Sequence, residues 1–430
     1  MSESSSTEMN QATGPASDAV PRDLPAAVEA STEIALGASI AAEAGAPSVP
    51  AIEPALRRIL DVVREAAAHE RALCLRGSGS KDFLGGPLLG EPLDLRPLRG
   101  ITSYEPTELV VTARAGTPLD ELEAALAEHG QCLPFEPPRL GRDGAGQPLG
   151  GTVGGMVASG LAGPARAAAG SVRDHVLGAC LLNGRGELLR FGGTVMKNVA
   201  GYDVSRLLAG SMGVLGVICE VSLKVLPRPP ATRTLRFDMD QANALRHLNE
   251  WAGQPLPLQA SAWWDGILVL RLAGAEAAVA SAARLLGGEA IPPPLAAGFW
   301  AGLRDQRDEF FLHAEAVLAA GDGESTGFSL WQLSVAPTAP RLELAGETLL
   351  EWGGGRRWLL SREPAGRVRE AGLAARGHAT LYRRGAGTAA PDDGAIFAPL
   401  SAPLLRLHQQ LKAAFDPQRI FNRERLHPQL

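Results

Sequence analysis

Three observations predict an α+β fold for this 430-residue sequence. Apolar residues recur with helical spacing over residues 52–69, and the short apolar run that follows at 72–75 indicates a buried strand. Two strand patterns on either side of a glycine-rich turn at 183–186 are typical of a β-hairpin. A strand pattern at 266–272, followed by an alanine-rich helical pattern at 276–286, indicates a further small α+β domain.

Composition limits the classes of protein to consider. With 45% hydrophobic and 20% charged residues, the chain has enough apolar side chains for two or three domains with cores. The net charge of −6 gives no general attraction to nucleic acid or to an anionic membrane, so neither is a default partner. No apolar run reaches the length of a membrane span, and the N-terminus lacks the basic-then-apolar order of a secretion signal. We therefore expect a cytoplasmic protein.

The cysteines indicate the same compartment. Cys74, Cys132, Cys180 and Cys219 lie far apart in the sequence, form no CxxC pair and have apolar neighbours, as reduced core cysteines do. An iron–sulfur cluster needs clustered thiolates, so we expect neither such a cluster nor another metal site in this chain.

The most informative stretch is residues 150–164, which contains six glycines in fifteen residues. Each glycine costs about 0.5–1 kcal/mol relative to alanine in a regular helix or strand, so the stretch is predicted to be a loop. Glycines let backbone N–H groups approach a ligand directly, and a row of such groups suits a pyrophosphate. Val153, Met156, Val157 and Leu161 provide apolar anchors that a solvated linker lacks, which favours a cofactor loop over a flexible linker.

A second loop of small residues, 76–81, comes directly after the strand predicted at 72–75. Ligand loops in folds that mix helices and strands tend to follow strands in this way. A third candidate is the stretch 213–227, predicted to be a strand whose opening glycines allow a ligand to come close.

The remaining elements are predicted from local signals. A strand at 109–116 is followed by a helix through residue 129, with Thr117 as its N-cap and Pro118 at its first position. Polar residues 139–148 indicate a surface insertion, residues 228–230 a domain boundary, and 404–415 an amphipathic helix. Residues 1–50 have almost no aromatic or large aliphatic side chains, which predicts a disordered leader.

Taken in order, five segments carry a resemblance to a known family. They read RGSGS, LGGTVGGMVASGLAGP, SVRDHVLG, GYDVSRLLAGSMGVLGVICEVSLKVLP and LKAAFDPQRIFN. This order resembles the FAD flavoproteins of the vanillyl-alcohol oxidase type, also called PCMH-type, from about residue 54 onward. Within that family it is most similar to the FAD-binding E-type subunits of bacterial glycolate oxidases.

The resemblance implies a PCMH-type FAD-binding domain of two α+β subdomains and a smaller α+β cap domain. The implied ranges are 51–228 for the FAD-binding domain, 229–375 for the cap, and 376–430 for a C-terminal segment that returns toward the FAD domain. The cofactor would be FAD. Relatives with covalent flavin attach it through a histidine of the loop that corresponds to residues 76–81, called the first loop below. The sequence RGSGSKDF contains no histidine, so non-covalent FAD is expected.

The resemblance also assigns cofactor contacts, residue by residue. The pyrophosphate would be held by Arg76, Gly77, Ser78, Gly79 and Ser80. The glycine-rich stretch 150–164 would line the pyrophosphate and the isoalloxazine with Gly151, Thr152, Gly154, Gly155 and Ser159. The adenine or ribose end would be flanked by Gly216, Val217 and Ile218. Two departures stand out: Met156 replaces an asparagine common in relatives, and Asn422-Arg423-Glu424 replaces an Asn-Pro-Gly ending.

The expected function is therefore that of the FAD-binding subunit of a heteromeric glycolate oxidase. Such an assembly oxidises glycolate to glyoxylate, and its other members would be the D flavoprotein and the F iron–sulfur subunit. Those partners could hold the chain at the periphery of the inner membrane. No catalytic residue is assigned in this chain.

Two alternatives stay open at this level. A self-sufficient 2-hydroxy-acid dehydrogenase would need an arginine clamp and a base, for which Arg383, Arg384, His378 and His408 are the candidates. A structural subunit that has lost its flavin is the other, and the intact glycine loops argue against it.

Overall fold

The computed structural model describes residues 53–194, 203–320, 327–385, 388 and 395–430. The predicted leader 1–50 lies outside these residues. The helices of the described part are α1 Pro54–Ala68, α2 Leu119–Glu128, α3 Val153–Ser159, α4 Arg166–Ala169, α5 Val172–His175, α6 Gln241–Ala252, α7 Glu276–Leu286, α8 Pro293–Arg304, α9 Glu309–Ala320, α10 Ala365–Ala374 and α11 Ala402–Phe415.

The strands fall in four sheets. In chain order they are β1 Leu73–Arg76, β2 Glu91–Asp94, β3 Ile101–Glu105, β4 Val110–Arg114, β5 Gln131–Cys132, β6 Val176–Leu182, β7 Leu188–Gly192, β8 Val217–Lys224, β9 Leu226–Pro227, β10 Ala231–Asp238, β11 Leu258–Trp264, β12 Ile267–Gly274, β13 Glu289–Ile291, β14 Ser329–Ser334, β15 Glu347–Glu351, β16 Arg356–Ser361 and β17 His378–Arg384.

The N-terminal half of the described chain is built on two sheets and a two-stranded ribbon. β1 and β2 pair in parallel, while the order β3-β4-β8-β6-β7 forms an antiparallel five-stranded sheet, and β5 pairs with β9. One face of the five-stranded sheet packs against α2 and α3. Its other face contributes Cys180, Leu182, Val217 and Cys219 to a core with α1 and β1. Strands that bury both faces explain why 176–182 and 217–223 are almost continuously apolar.

The second half is an antiparallel eight-stranded sheet with the order β13-β10-β12-β11-β15-β16-β14-β17. Side chains alternate along its strands: Leu268 and Leu270 pack under α7, whereas Val269 belongs to the core with α8 and α9. The sheet's last strand, β17, lies beyond residue 375, so this sheet continues into the range predicted as the returning segment. Within the described residues, no helix is long and apolar enough to cross a bilayer.

The main local departure from expectation is in the glycine-rich stretch 150–164. Residues 153–159 form helix α3 and not a loop, with Thr152 as N-cap and Gly160 as C-cap at a left-handed φ of 63°. Thr152 accepts a hydrogen bond at Oγ1 from the Gly155 N–H at 3.2 Å. The predicted loop was wrong because the glycines serve close packing as well as turns. A smaller correction is that Pro118, and not Thr117, is the N-cap of α2.

The C-terminal segment is anchored by a buried ion pair. Lys412 on α11 donates to Asp416 Oδ2 at 2.7 Å, and also to the carbonyls of Val214 and Phe421. The Asp416 carboxylate in turn accepts the N–H groups of Ile420 and Phe421 at 3.0 and 2.8 Å. This arrangement turns the chain after α11 so that Phe421 lies beside β1.

We expect Asp416→Asn to destabilise the fold by about 3 kcal/mol, because it leaves the Lys412 ammonium buried without its counter-charge. Urea denaturation followed by far-UV circular dichroism measures the change. Glu250→Gln is the matched control, since Arg246 and Glu250 form a pair with the same i,i+4 spacing on an exposed helix face. A midpoint for Asp416→Asn equal to that of the control would contradict the structural role of the pair.

Candidate cofactor-binding cleft

One cleft collects most of the predicted cofactor residues. It is lined by the loop after β1, by α3, by the segment before β8 and by the C-terminal segment. The predicted residues on its wall are Arg76, Gly77, Ser78, Gly79, Ser80, Thr152, Gly154, Gly155, Ser159, Gly216 and Ile218. Gly151 and Val217 do not line it. The Val217 side chain is fully buried and packs in the core under α1.

The cleft also contains residues that were not assigned as cofactor contacts. Lys81, Asp82 and Leu88 extend the first loop, and Asn422 and Arg425 come from the far end of the chain. Lys81 and Asp82 adjoin the predicted motif and could have been included on that ground. Asn422 and Arg425 carry no local signal, because only the tertiary fold brings them next to β1.

The first loop, residues 76–82, presents unused backbone donors. The N–H groups of residues 77–81 make no hydrogen bond to any other residue in the described ranges. Gly79 has a left-handed φ of 76°, a conformation that glycine adopts without strain. Successive free N–H groups in such a turn form a concave site for an anion.

The first turn of α3 behaves differently, because its donors are already used. Val153 and Gly154 donate their N–H groups to the carbonyls of Thr117 and Ala115 at 2.9 and 2.7 Å. A β-carbon on Gly154 would lie 2.6 Å from the Ala115 β-carbon, so this glycine is required by helix–strand contact. Gly155 is open by comparison: a β-carbon there would meet only Thr152 Oγ1, at 3.2 Å.

The Ser159 hydroxyl is bonded to the backbone of this helix, and the Met156 thioether is buried. Ser159 Oγ donates to the Met156 carbonyl at 3.1 Å. The Met156 side chain is buried in the core between the five-stranded sheet and its helices. Met156 therefore contributes packing at this position.

Charge in the cleft is positive. Arg76 is paired with Asp82, while Lys81 and Arg425 have no carboxylate within ion-pair distance among the described residues. Three cations and one carboxylate thus line the wall, which suits the two negative charges of a pyrophosphate. Burial lowers the pKa of Lys81 to about 8 and also lowers the pKa of Arg425.

The C-terminal segment fixes the shape of the first loop. Asn422 accepts the Leu75 N–H at Oδ1 and donates from Nδ2 to the Met212 carbonyl, both at 2.7 Å. The Arg425 guanidinium donates to the carbonyls of Leu84 and Gly86. These bonds hold both ends of the loop.

The four residues considered for a self-sufficient dehydrogenase do not come together. His378 and Arg384 lie at opposite ends of β17, which at about 3.3 Å per residue separates their backbones by roughly 20 Å. Arg383 stacks on Phe83 with its guanidinium carbon 4.2 Å from the ring centroid. His408 lies on α11 and contacts the ring of His427.

Comparison with known proteins shows which family of domains contributes residues to this cleft. Residues 56–192 match the model of the family described as "FAD binding domain", and these residues include the first loop and α3. Solved structures of alkyldihydroxyacetonephosphate synthase share the fold: one has a TM-score of 0.54 at 13% identity and covers 85% of this chain and 73% of its own.

More specific relatives identify the family. The chain is 46% identical over 372 residues to glycolate oxidase subunit GlcE of Escherichia coli, an alignment that spans 86% of this chain and 97% of the relative. It therefore belongs to the GlcE family of glycolate oxidase subunits. It is also 29% identical over 183 residues to glycolate oxidase subunit GlcD of Bacillus subtilis and 30% identical over 171 residues to a D-lactate dehydrogenase of Anaerostipes hadrus. These two alignments cover 42% and 39% of this chain and 36% and 34% of the relatives.

We expect Gly155→Val to abolish flavin retention, because the new side chain would fill the side of the cleft that Gly155 leaves open. The contact with Thr152 Oγ1 requires only a small shift, so the far-UV circular dichroism should stay the same. Gly298→Val is the control, since Gly298 lies on helix α8 where a β-carbon would meet no atom within 4 Å. Flavin content is measured by absorbance at equal protein concentration. Equal content in the Gly155→Val variant and the control would show that this part of α3 does not contact the cofactor.

Proposed function

We propose that this chain is the FAD-binding subunit of a heteromeric glycolate oxidase and that it holds FAD in the cleft between the first loop and α3. The observation that carries the proposal is the row of free N–H groups at residues 77–81 beside an excess of positive charge. The family match and the similarity to GlcE of E. coli support it.

The residues of the cleft fit the chemical parts of FAD. The first loop offers donors to the two phosphates, and Asn422 and Arg425 keep that loop in place. Gly155, Ala158 and Ile218 give an apolar, unobstructed wall suitable for the faces of rings. When bound, FAD supplies the electron-accepting chemistry, and the protein supplies its position and its electrostatic surroundings.

Oxidation of glycolate to glyoxylate requires more than a flavin site. The substrate's carboxylate must be clamped, its hydroxyl proton removed and its α-hydrogen directed at the flavin. The separation of His378 from Arg383 and Arg384 along β17 supports the subunit interpretation over the self-sufficient dehydrogenase. We infer that a D-type flavoprotein partner completes the reaction.

Electrons must also leave the flavin. Cys180 and Cys219 are neighbours on the paired strands β6 and β8, while Cys74 is on β1 and Cys132 on β5, and the described residues contain no group of three or more side chains that could hold a metal. An iron–sulfur cluster takes up to four thiolates at one point. We therefore assign the iron–sulfur centres to an F-type partner, and with it any association at the inner membrane.

We further propose that the FAD is held without a covalent bond, because no histidine occurs among the described residues that line the cleft. Acid precipitation of the purified protein should then release the flavin into the supernatant, where its absorbance is measured. Yellow colour that stays with the pellet would contradict this proposal.

The subunit interpretation predicts that the isolated chain is yellow but reduces dye with glycolate at least about 10²-fold more slowly than the reconstituted assembly, since acid–base groups contribute about that much. The assay compares the isolated chain, the partners without it, and all subunits together. The partner subunits without this chain should also reduce the dye slowly. Full turnover by the isolated chain would overturn the subunit interpretation and favour the self-sufficient dehydrogenase, with His378 the first residue to mutate.

A further inference from the structure

Lys81 differs from the other cations of the cleft in how many of its side-chain N–H groups are used. Arg76 is neutralised by Asp82, and the Arg425 guanidinium donates to the backbone carbonyls of Asp82, Leu84 and Gly86. Lys81 Nζ donates one hydrogen bond, to Ser80 Oγ at 3.2 Å. Two of its three N–H groups are therefore without a partner within the described residues.

The position of Lys81 suits a phosphate ligand. Its backbone N–H closes the row of free donors at residues 77–81, so its side chain and the row belong to one loop. Its Nζ lies 3.5 Å from the point where a β-carbon on Gly151 would stand, which places it where the first loop meets the start of α3. Lys81 lines the cleft, and its side chain is partly buried there.

We propose that Lys81 is a phosphate-binding residue of the cleft and that the chain takes up a proton at this amine when it binds FAD in mildly alkaline solution. The proposal rests on the proposed function, because it names the group that recognises the pyrophosphate of that cofactor. An ammonium adds charge-assisted hydrogen bonds to the backbone donors, which neutral N–H groups alone do not provide.

Proton uptake follows from the environment of the amine. Burial lowers the pKa of Lys81 to about 8 in the flavin-free chain, and the opposing attraction of Asp305 only partly offsets this. A pyrophosphate at hydrogen-bond distance, with one negative charge on each phosphate, favours the charged amine and raises that pKa. Affinity for FAD is then greatest below pH 8 and falls as the pH rises from about 8 toward the pKa of the complex.

The other ionisable groups around the amine lie on the wall of the cleft or next to it. The Asp305 carboxyl is deprotonated, since Arg304 and the Arg139 N–H hold its pKa below its usual range. Arg76 and Arg425 are guanidinium ions, and Asp82 is the remaining carboxylate on the wall. Burial raises the pKa of the nearby Cys74 thiol. We therefore assign to Lys81 the change in FAD affinity that is expected between pH 7 and pH 9.

The test compares Lys81→Met, Lys81→Arg and the control Lys224→Met, which removes a partly buried lysine at the end of β8, outside the cleft. FAD dissociation constants are measured by titration at pH 7 and pH 9, and proton uptake by calorimetry in two buffers of different ionisation enthalpy. At pH 7 we expect Lys81→Met to bind FAD about tenfold or more weakly than the unmodified chain and Lys224→Met. Lys81→Arg should bind well at both pH values, and neither Lys81 variant should take up a proton.

The outcomes separate this proposal from the proposed function. Failure of the unmodified chain to bind FAD would count against the proposed function itself. If the unmodified chain binds FAD with the same affinity at both pH values, or Lys81→Met binds within twofold of it at pH 7, the role of Lys81 is wrong while the FAD site stands. Riboflavin, which lacks the phosphates, serves as the final probe. Loss of riboflavin affinity in Lys81→Met as large as the loss for FAD would also overturn the assignment to phosphate.

Discussion

The buried pair of Lys412 and Asp416 is the contact on which the cofactor cleft depends. Asp416 fixes the N–H groups of Ile420 and Phe421, and this part of the chain then bonds to β1 through the Leu73 N–H and carbonyl at 2.6 and 3.0 Å. The first loop leaves β1 only a few residues later. The end of β1 that carries the first loop is therefore positioned by residues more than three hundred positions away, and an ion pair that does not line the cleft helps to determine the shape of the cleft.

The two glycine-rich segments perform different physical tasks although their compositions are similar. In the first loop the N–H groups of residues 77–81 have no partner within the described residues, so they remain available to an anion. In α3 the backbone donors of the first turn are used internally, and Gly154 is needed because Ala115 lies too close for any side chain. The first segment thus contributes hydrogen bonds, and the second contributes a surface that a planar group can approach.

Local patterns predicted much of this fold, and the errors have identifiable causes. The strands at β6 and β7, the helix at 276–286 and the closing helix are confirmed because each is encoded by periodicity and turn residues within the segment. Helix α3 was missed because the benefit of close packing on Ala115 is tertiary and outweighs the intrinsic cost of glycine. Asn422 and Arg425 could not be placed in the cleft, since only long-range contacts bring them there. Family resemblance, and not periodicity, named half of the residues on its wall.

Buried charged and aromatic groups in the second half of the chain bind that half to the segment that follows α3. Arg356 donates to the Ala162 carbonyl at 3.0 Å and stacks on Trp352 and Trp358, while Trp352 donates to the Gly163 carbonyl at 2.9 Å. Glu351 accepts from Trp358 Nε1 at 2.6 Å, and burial raises the pKa of its carboxyl. Arg356 Nε makes no hydrogen bond among the described residues but lies 3.7 Å from the Glu351 carboxylate, and the other contacts of Arg356 are to a carbonyl and two rings. A substrate would have to compete with these contacts for Arg356, at a cost of several kcal/mol for the partner left buried and unpaired. The cluster is thus better suited to hold the eight-stranded sheet against the segment after α3 than to clamp a carboxylate, which supports the proposal that catalytic groups come from a partner subunit.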